Sequence, residues 1–122
     1  MAKRKLYEEP LKAVSNNVLL FYVKSGRPVE PGWIRYVTFA QCYDDTRADI
    51  TIVFGRLVGD RFDAFEGTDD STKSVPKWTT LMTHHFRTGE LPCFKCVGAV
   101  AADVLYAYLE GYETELEEVV TT

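Results

Sequence analysis

The stretch that decides the fold spans residues 48–66 and reads ADITIVFGRLVGDRFDAFE. Branched and aromatic residues fill both of its halves, and the pair Gly59-Asp60 between them is a two-residue signal for a tight β-hairpin. A turn at this pair brings an ion pair and an aromatic pair into opposition, Arg56 with Asp63 and Phe54 with Phe65. Each such pair stabilises a sheet by about 0.2–1 kcal/mol, so the two together favour this register.

Two more strands are predicted on the N-terminal side of the hairpin. Residues 18–24 (VLLFYVK) and 33–43 (WIRYVTFAQCY) are rich in branched and aromatic residues, and Pro and Gly residues separate them. Together with the hairpin strands, 48–58 and 61–66, they predict a four-stranded antiparallel sheet.

Two helices are predicted after the sheet. Pro76 stands where a first-turn proline is favoured, and apolar residues follow it at helical spacing as far as Gly89. Pro92 opens a second helix that runs to about Gly111, with one apolar stripe along it. Strands followed by amphipathic helices predict an α+β fold, in which the four-stranded antiparallel sheet is followed by two helices packed on one face.

The length of 122 residues predicts one domain and excludes a two-domain enzyme or a TIM barrel. Residues 1–61 carry a net charge of +3 and residues 62–122 a net charge of −7. We therefore expect a basic N-terminal arm at 1–16, a single α+β domain at 17–111 and an acidic C-terminal tail at 112–122. The basic N-terminus lacks a following apolar stretch, so a cytoplasmic location without membrane contact is expected.

The string Pro92-Cys93-Phe94-Lys95-Cys96 resembles half of the zinc nucleobase deaminase signature, but neither histidine is followed by the glutamate that such enzymes use. A structural zinc site is the milder alternative, and its ligands would be Cys42, His85, Cys93 and Cys96. Free thiols in the core are the favoured interpretation, since buried cysteine behaves as a small hydrophobe. Whether these four residues come together stays open. No catalytic motif is present, so we expect neither an enzyme nor a cofactor nor a metal.

The strands carry a further signal, because alternate residues of segment 33–43 place Trp33, Arg35 and Phe39 on one side. If the helices cover the other side, aromatic and basic residues share an open face, which is how single-stranded nucleic acids are bound. The residues expected to bind nucleic acid are Lys3, Arg4, Lys5, Tyr22, Lys24, Arg27, Trp33, Arg35, Phe39, Arg56 and Arg61.

Two functions follow as expectations. The strand-rich element order is similar to that of the Whirly and Pur-alpha type of single-strand binders. The resemblance implies a small non-enzymatic protein that binds single-stranded nucleic acid. The compact chain without catalytic motifs suits a viral transcription or replication accessory factor, and the acidic tail is similar to those with which single-strand binding proteins recruit protein partners. The alternative is a dimeric protein–protein interaction module, an adaptor or inhibitor of a host protein, because an exposed apolar face is also typical of a homo-oligomer interface. A third interpretation assigns the same aromatic residues to a second core.

Overall fold

The computed structural model describes residues 3–16, 20–45, 50–67, 77–80 and 83–116, and these form β-strands and connections without any helix. Accordingly, this part of the chain holds no helix with the length and apolarity needed to cross a membrane. The strands are Arg4–Val14 (β1), Leu20–Lys24 (β2), Trp33–Asp44 (β3), Thr51–Val58 (β4), Arg61–Gly67 (β5), Lys77–Thr80 (β6), His84–Phe86 (β7), Glu90–Val97 (β8) and Val104–Glu115 (β9).

The strands form two antiparallel sheets. In sheet A the order is β1-β9-β3, and both β6 and β7 pair with the remaining side of β3. In sheet B the order is β2-β8-β4-β5. The first strand thus pairs with the last, the second with the last but one, and so on inward to the β4–β5 hairpin. This is the strand order of a jelly roll, a long hairpin rolled into a two-layer sandwich.

The predicted α+β class is therefore wrong, because strands β6 to β9 occupy the segments expected to be helical. Along β9 the buried residues Leu105, Ala107 and Leu109 alternate with half-buried tyrosines. Because both sides of this strand are apolar or aromatic, its sequence shows no clear alternation of apolar and polar residues, and the apolar residues fit helical spacing equally well. Positive φ angles at Gly98 (100°) and Ala102 (74°) turn the chain between β8 and β9.

The hairpin prediction is confirmed close to its turn. Arg56 pairs with Asp63, as the sequence indicated. A β-bulge then shifts the register between Phe54 and the next residue, so that Phe54 lies opposite residue 66 and not opposite Phe65. The rings of Phe54 and Phe65 still meet edge to face, with centroids 5.9 Å apart. The predicted strands 18–24 and 33–43 correspond to β2 and β3, whereas residues 46–49 lie outside the described part.

The N-terminal segment also differs from the expected basic arm. Strand β1 pairs with β9 along its whole length and forms one edge of sheet A. Tyr7 and Glu9 point inward and are buried, while Pro10 is exposed, as suits an edge strand where one row of N–H groups is unpaired. At the other end, β9 continues to Glu115 and so includes the start of the expected acidic tail; residues 117–122 lie outside the described part.

The core lies between the two sheets. The ring of Phe54 is central to it, with centroids 5.0 Å from the ring of Phe94 and 6.2 Å from that of Phe86. Aliphatic side chains of both sheets complete this layer, and the largest of these that are fully buried are Ile50, Ile52, Leu105, Leu109, Val29 and Val37.

A β-bulge in β3 decides which of its side chains reach this core. Arg35 and Val37 point inward, the register shifts between Val37 and Phe39, and Ala40 is the next buried residue. Alternation across the bulge is broken, so Phe39 lies on the opposite side of sheet A from Arg35. The expectation that both residues share an open face is wrong for this reason, since Arg35 is only 2% exposed.

Candidate functional site

The outer surface of sheet A carries a group of half-buried aromatic side chains, which we call the aromatic face. Its members lie on the two adjacent strands β3 and β9 and point away from the core. They are Tyr36, Phe39, Tyr43, Tyr106, Tyr108 and Tyr112.

The rings of the aromatic face are organised by the pairing of the two strands. Tyr36 lies opposite Tyr112 in the register, and their rings stack with centroids 4.9 Å apart and an interplanar angle of 20°. Tyr43 and Tyr106 repeat the arrangement further along, at 5.5 Å and 25°. Each of these four rings is therefore packed against a cross-strand neighbour before any partner binds.

Strand β1 adds basic side chains beside the rings. The guanidinium carbon of Arg4 lies 3.9 Å from the ring centroid of Tyr112, and the Lys12 ammonium lies 5.7 Å from that of Tyr106. Cations at these distances are attracted to the negative faces of the rings. Both cations therefore cover part of the aromatic face.

Carboxylates and exposed apolar groups complete this surface. Glu8 and Glu110 are paired in the register and exposed, so two negative charges balance the two cations. On the same strand as Glu8, Leu6 is 74% exposed near the start of β1, and Val14 is 56% exposed at its end. A surface rich in tyrosine, with exposed aliphatic groups and balanced charge, has the composition of a protein interface.

A buried polar cluster lies at the end of the sandwich, on the inner side of sheet A. Nε of Arg35 lies 3.2 Å from Oε2 of Glu113, and its Nη1 donates a hydrogen bond of 2.7 Å to the Arg27 carbonyl. The guanidinium also lies over the ring of Tyr7, at 4.0 Å. Paired in this way, the charge of Arg35 is stabilised inside the protein.

Glu9 joins this cluster to the β2–β3 loop. Its carboxylate accepts hydrogen bonds from the hydroxyls of Tyr7 and Ser25, and from the backbone N–H of Gly26 at 2.8 Å. Burial, together with the hydrogen bond to Glu9, raises the pKa of Tyr7 well above its usual range. A cavity of about 610 Å³ lies between β1 and this loop. The polar groups beside it bind one another and the loop backbone, so the cluster fixes the loop.

The residues predicted to bind nucleic acid are distributed over several surfaces. Around the buried cluster, the Lys5 ammonium lies 4.2 Å from the ring centroid of Trp33 and 3.7 Å from Glu113. Trp33 is half-buried and packs against the core, while Arg27 is exposed in the β2–β3 loop. The structure thus brings Lys5, Arg27 and Arg35 together around a cavity, with Trp33 against Lys5, and not on an open sheet face.

The other predicted residues lie elsewhere. Tyr22 and Lys24 are exposed on the outer side of sheet B. Arg56 forms an ion pair with Glu90 at 3.4 Å, and Arg61 one with Asp63 at 3.1 Å. Phe39 belongs to the aromatic face, Arg4 covers the ring of Tyr112 within it, and Lys3 is exposed just before β1.

Sequence reasoning missed the tyrosines that form most of the aromatic face. Alternation in segment 33–43 places Tyr36 on the side opposite to Trp33 and Arg35, which was expected to face the core. Tyr106 and Tyr108 fall in the predicted second helix, and Tyr112 falls in the predicted acidic tail. The signal that indicates them is an alternation in residues 106–112, which read YAYLEGY. Every second position from Tyr106 is a tyrosine or a glutamate, and the positions between them are smaller or aliphatic.

The four residues considered as zinc ligands do not come together as one set. Cys42 and Cys96 point into the core from opposite sheets, whereas Cys93 is buried on the outer side of sheet B. His85 is exposed on the outer side of sheet A, with its ring 6.4 Å from that of Tyr36. Within the described residues no three His, Cys, Asp or Glu side chains are grouped as a metal site.

Comparison with known proteins gives no family. No protein-family model and no curated protein matches the sequence. Solved structures give weak likenesses: murine APRIL at pH 8.5 has 12% identity and a TM-score of 0.42 over 86% of this chain and 100% of that one. The structure of Eiger TNF from S. frugiperda has 10% identity and a TM-score of 0.31 over 94% of this chain and 98% of that one. Likenesses at this level assign neither a family nor a function to this chain.

Proposed function

We propose that this protein is a non-catalytic interaction module that self-associates through the aromatic face of sheet A. The observation that carries the proposal is that two tyrosine pairs, Tyr36 with Tyr112 and Tyr43 with Tyr106, stack on an outer sheet surface. Tyrosine gives large contact area with little loss of side-chain entropy, and it is enriched where protein interfaces bury the most surface.

The charges on this face favour a second copy of the same chain as the partner. Arg4 and Lys12 balance Glu8 and Glu110, whereas the whole chain carries a net charge of −4. In a two-fold contact the same patch meets itself, so a cation of one copy can approach a carboxylate of the other. Away from such a balanced patch, two copies with the same net charge repel each other.

Binding of single-stranded nucleic acid stays a prediction. Phosphate binding needs a surplus of exposed cations. Arg35 is buried and paired, and the two cations nearest the stacked tyrosines are balanced by carboxylates. These observations favour the interaction module, and nucleic-acid binding is treated as an outcome of the test below.

The test introduces one charge into the aromatic face. Tyr108 lies in the middle of β9, two residues from Glu110, so Tyr108→Glu places a third carboxylate in an interface that two copies would share. Tyr22→Glu is the matched control, because Tyr22 is 38% exposed on the outer side of sheet B. Sedimentation velocity over a range of protein concentrations reports the association constant of each variant.

We expect the unaltered protein and Tyr22→Glu to associate equally, and Tyr108→Glu to weaken association by at least about tenfold, as for a central tyrosine of an interface. A protein that stays monomeric, or an association that Tyr108→Glu leaves unchanged, contradicts the proposal. Salt-sensitive retention of single-stranded oligonucleotide by the monomer, lost in Tyr108→Glu, would assign the face to nucleic acid instead.

A further inference from the structure

Strand β1 has one edge that no other strand covers. It lies at the end of sheet A and pairs along its whole length with β9 on one side. On its other side, no strand within the described ranges pairs with it. This open edge runs over 11 residues, which is long for a strand, and a long open edge is a template for pairing with another strand.

The hydrogen bonds at the two ends of β1 show which residues face the open edge. Glu115 donates its backbone N–H to the Lys3 carbonyl at 2.9 Å, and Ser15 donates to the Asp103 carbonyl at 2.8 Å. Odd-numbered residues therefore pair on the side of β9. Because the backbone groups of successive residues point to opposite edges of a strand, even-numbered residues present their N–H and C=O groups to the open edge. These residues are Arg4, Leu6, Glu8, Pro10, Lys12 and Val14.

The side chains of this even-numbered row are all exposed, and their chemistry is symmetric about its centre. Leu6 and Val14, at 74% and 56%, are the most exposed large hydrophobic residues of the described part. Between them lie an acidic residue, Glu8, and a basic residue, Lys12, with Pro10 in the middle. An antiparallel second copy of the same row therefore presents an apolar residue to each apolar residue and an opposite charge to each charge.

We propose that the open edge of β1 pairs with the same edge of a second copy of this chain, antiparallel and with Pro10 opposite its counterpart. In this register Leu6 of one copy lies opposite Val14 of the other, and Glu8 lies opposite Lys12. Each pair occurs twice about the two-fold axis, and each can exchange two backbone hydrogen bonds. The proposal does not depend on the contact between aromatic faces, because the backbone of an edge strand makes this one.

The side chains disfavour the neighbouring registers. A shift of the axis by one residue places a charge opposite an apolar group, either Lys12 opposite Leu6 or Glu8 opposite Val14. A shift by two residues places Glu8 opposite Glu8 or Lys12 opposite Lys12, and like charges directly opposite each other destabilise a sheet. Proline and charged residues usually protect an edge from unrelated strands. Arranged symmetrically about Pro10, they restrict this edge to one partner, its own copy.

Amide hydrogen exchange, followed by NMR at low and high protein concentration, measures this pairing. We expect the N–H groups of Leu6, Glu8 and Lys12 to exchange at least about tenfold more slowly at the concentration where the protein is associated. Tyr7 and Leu11 are internal controls, because their N–H groups lie on the side of β9 and are protected at both concentrations. Association through the aromatic face alone forms no hydrogen bonds at the edge, so this measurement separates the two contacts.

Reversed charges test the register. Glu8→Lys and Lys12→Glu each place like charges opposite each other twice, so each variant alone should associate about tenfold more weakly in sedimentation velocity. An equimolar mixture of the two variants restores both opposite-charge pairs, and its association should return to that of the unaltered protein. Lys24→Glu is the matched control, since Lys24 is exposed on the outer side of sheet B and the change of charge is the same.

Edge amides that exchange equally fast at both concentrations would overturn the proposal. So would a mixture that associates no better than either variant alone, or a Lys24→Glu protein that is weakened as much as Lys12→Glu. The outcome is distinguishable from that of the aromatic face. Loss of association in Tyr108→Glu with unprotected edge amides would leave the face as the contact, whereas protected edge amides in a Tyr108→Glu protein that still associates would leave the edge.

Discussion

The buried ion pair between Arg35 and Glu113 allows a sharp test of the cluster at the end of the sandwich. The two side chains are 2% and 9% exposed, and the Arg35 Nε lies 3.2 Å from the carboxylate. Glu113→Gln keeps the volume of the side chain but removes its charge. Because the guanidinium then stays buried without its counter-ion, we expect a loss of about 3 kcal/mol in the free energy of unfolding, the low end of the range for breaking a buried pair.

An exposed ion pair of similar length supplies the control. Arg61 and Asp63 are 3.1 Å apart, but their side chains are 69% and 47% exposed. Water and salt screen such a pair, so Asp63→Asn should change the free energy of unfolding by less than about 1 kcal/mol. The difference between the losses of unfolding free energy in the two variants therefore measures the effect of burial on an ion pair, since the distances and the chemistry of the two pairs are nearly the same.

Urea titration followed by tryptophan fluorescence and circular dichroism measures both variants, at one protein concentration because self-association would shift the midpoint. A third variant, Arg35→Met combined with Glu113→Leu, removes both charges and should recover part of the loss. If Glu113→Gln costs no more than Asp63→Asn, or if the double variant is no more stable than Glu113→Gln, the cluster does not depend on a buried charge pair.

Two further predictions concern the close approach in sheet A and the buried phenol. A Cβ on Gly111 would collide with the Tyr36 carbonyl next to the bulge of β3, so Gly111→Ala should lower the free energy of unfolding by about 1–3 kcal/mol, measured by urea titration. Gly26→Ala is the control, because a Cβ there meets only Glu9 Oε2, at the ordinary contact distance of 3.7 Å. The unfolded chain releases the Tyr7 proton near pH 10, and the folded protein holds it to higher pH. The contribution of Tyr7 to the free energy of unfolding should therefore be constant below about pH 10 and be lost as the pH rises above it, so Tyr7→Phe should make the fall measured by urea titration in that range less steep.

Local features of the fold could be predicted from the sequence, whereas its long-range pairings could not. The β4–β5 turn and the pair of Arg56 with Asp63 follow from residues close together in the chain. The pairing of β1 with β9 joins Arg4 to Thr114, and no pattern within either segment indicates the other. A jelly roll depends on such distant pairs, so its strands were recognisable only where a tight turn connected them.

Strand β1 was missed because charged residues occupy its inner side. Lys5 and Glu9 alternate with exposed Leu6 and Pro10, so the hydrophobic pattern there is the reverse of an ordinary edge strand. Glu9 is tolerated inside because the hydroxyls of Tyr7 and Ser25 and the loop backbone satisfy its oxygens. Tyr7 lies on β1 itself, but Ser25 and the loop backbone at Gly26 lie outside segment 1–16, so the sequence of that segment alone cannot indicate that Glu9 is buried.

A similar reversal of the usual pattern, with polar residues inside and large apolar ones outside, occurs in β9 and makes the aromatic face a better candidate for function than the buried polar cluster. At this end of sheet A, Glu113 and Gly111 point inward while Tyr112 points outward, so β9 presents its largest side chain to the surface. Folding of a single chain gains only the cross-strand stacking with Tyr36, about 0.2–1 kcal/mol, and a smaller polar residue would otherwise serve at a solvated position. A second layer packed against the outer side would give the tyrosines the environment their size requires. Function is expected where a protein departs from the pattern of apolar residues inside and polar residues outside. Strand β9 departs from it on both of its sides, with Glu113 inside and Tyr112 outside.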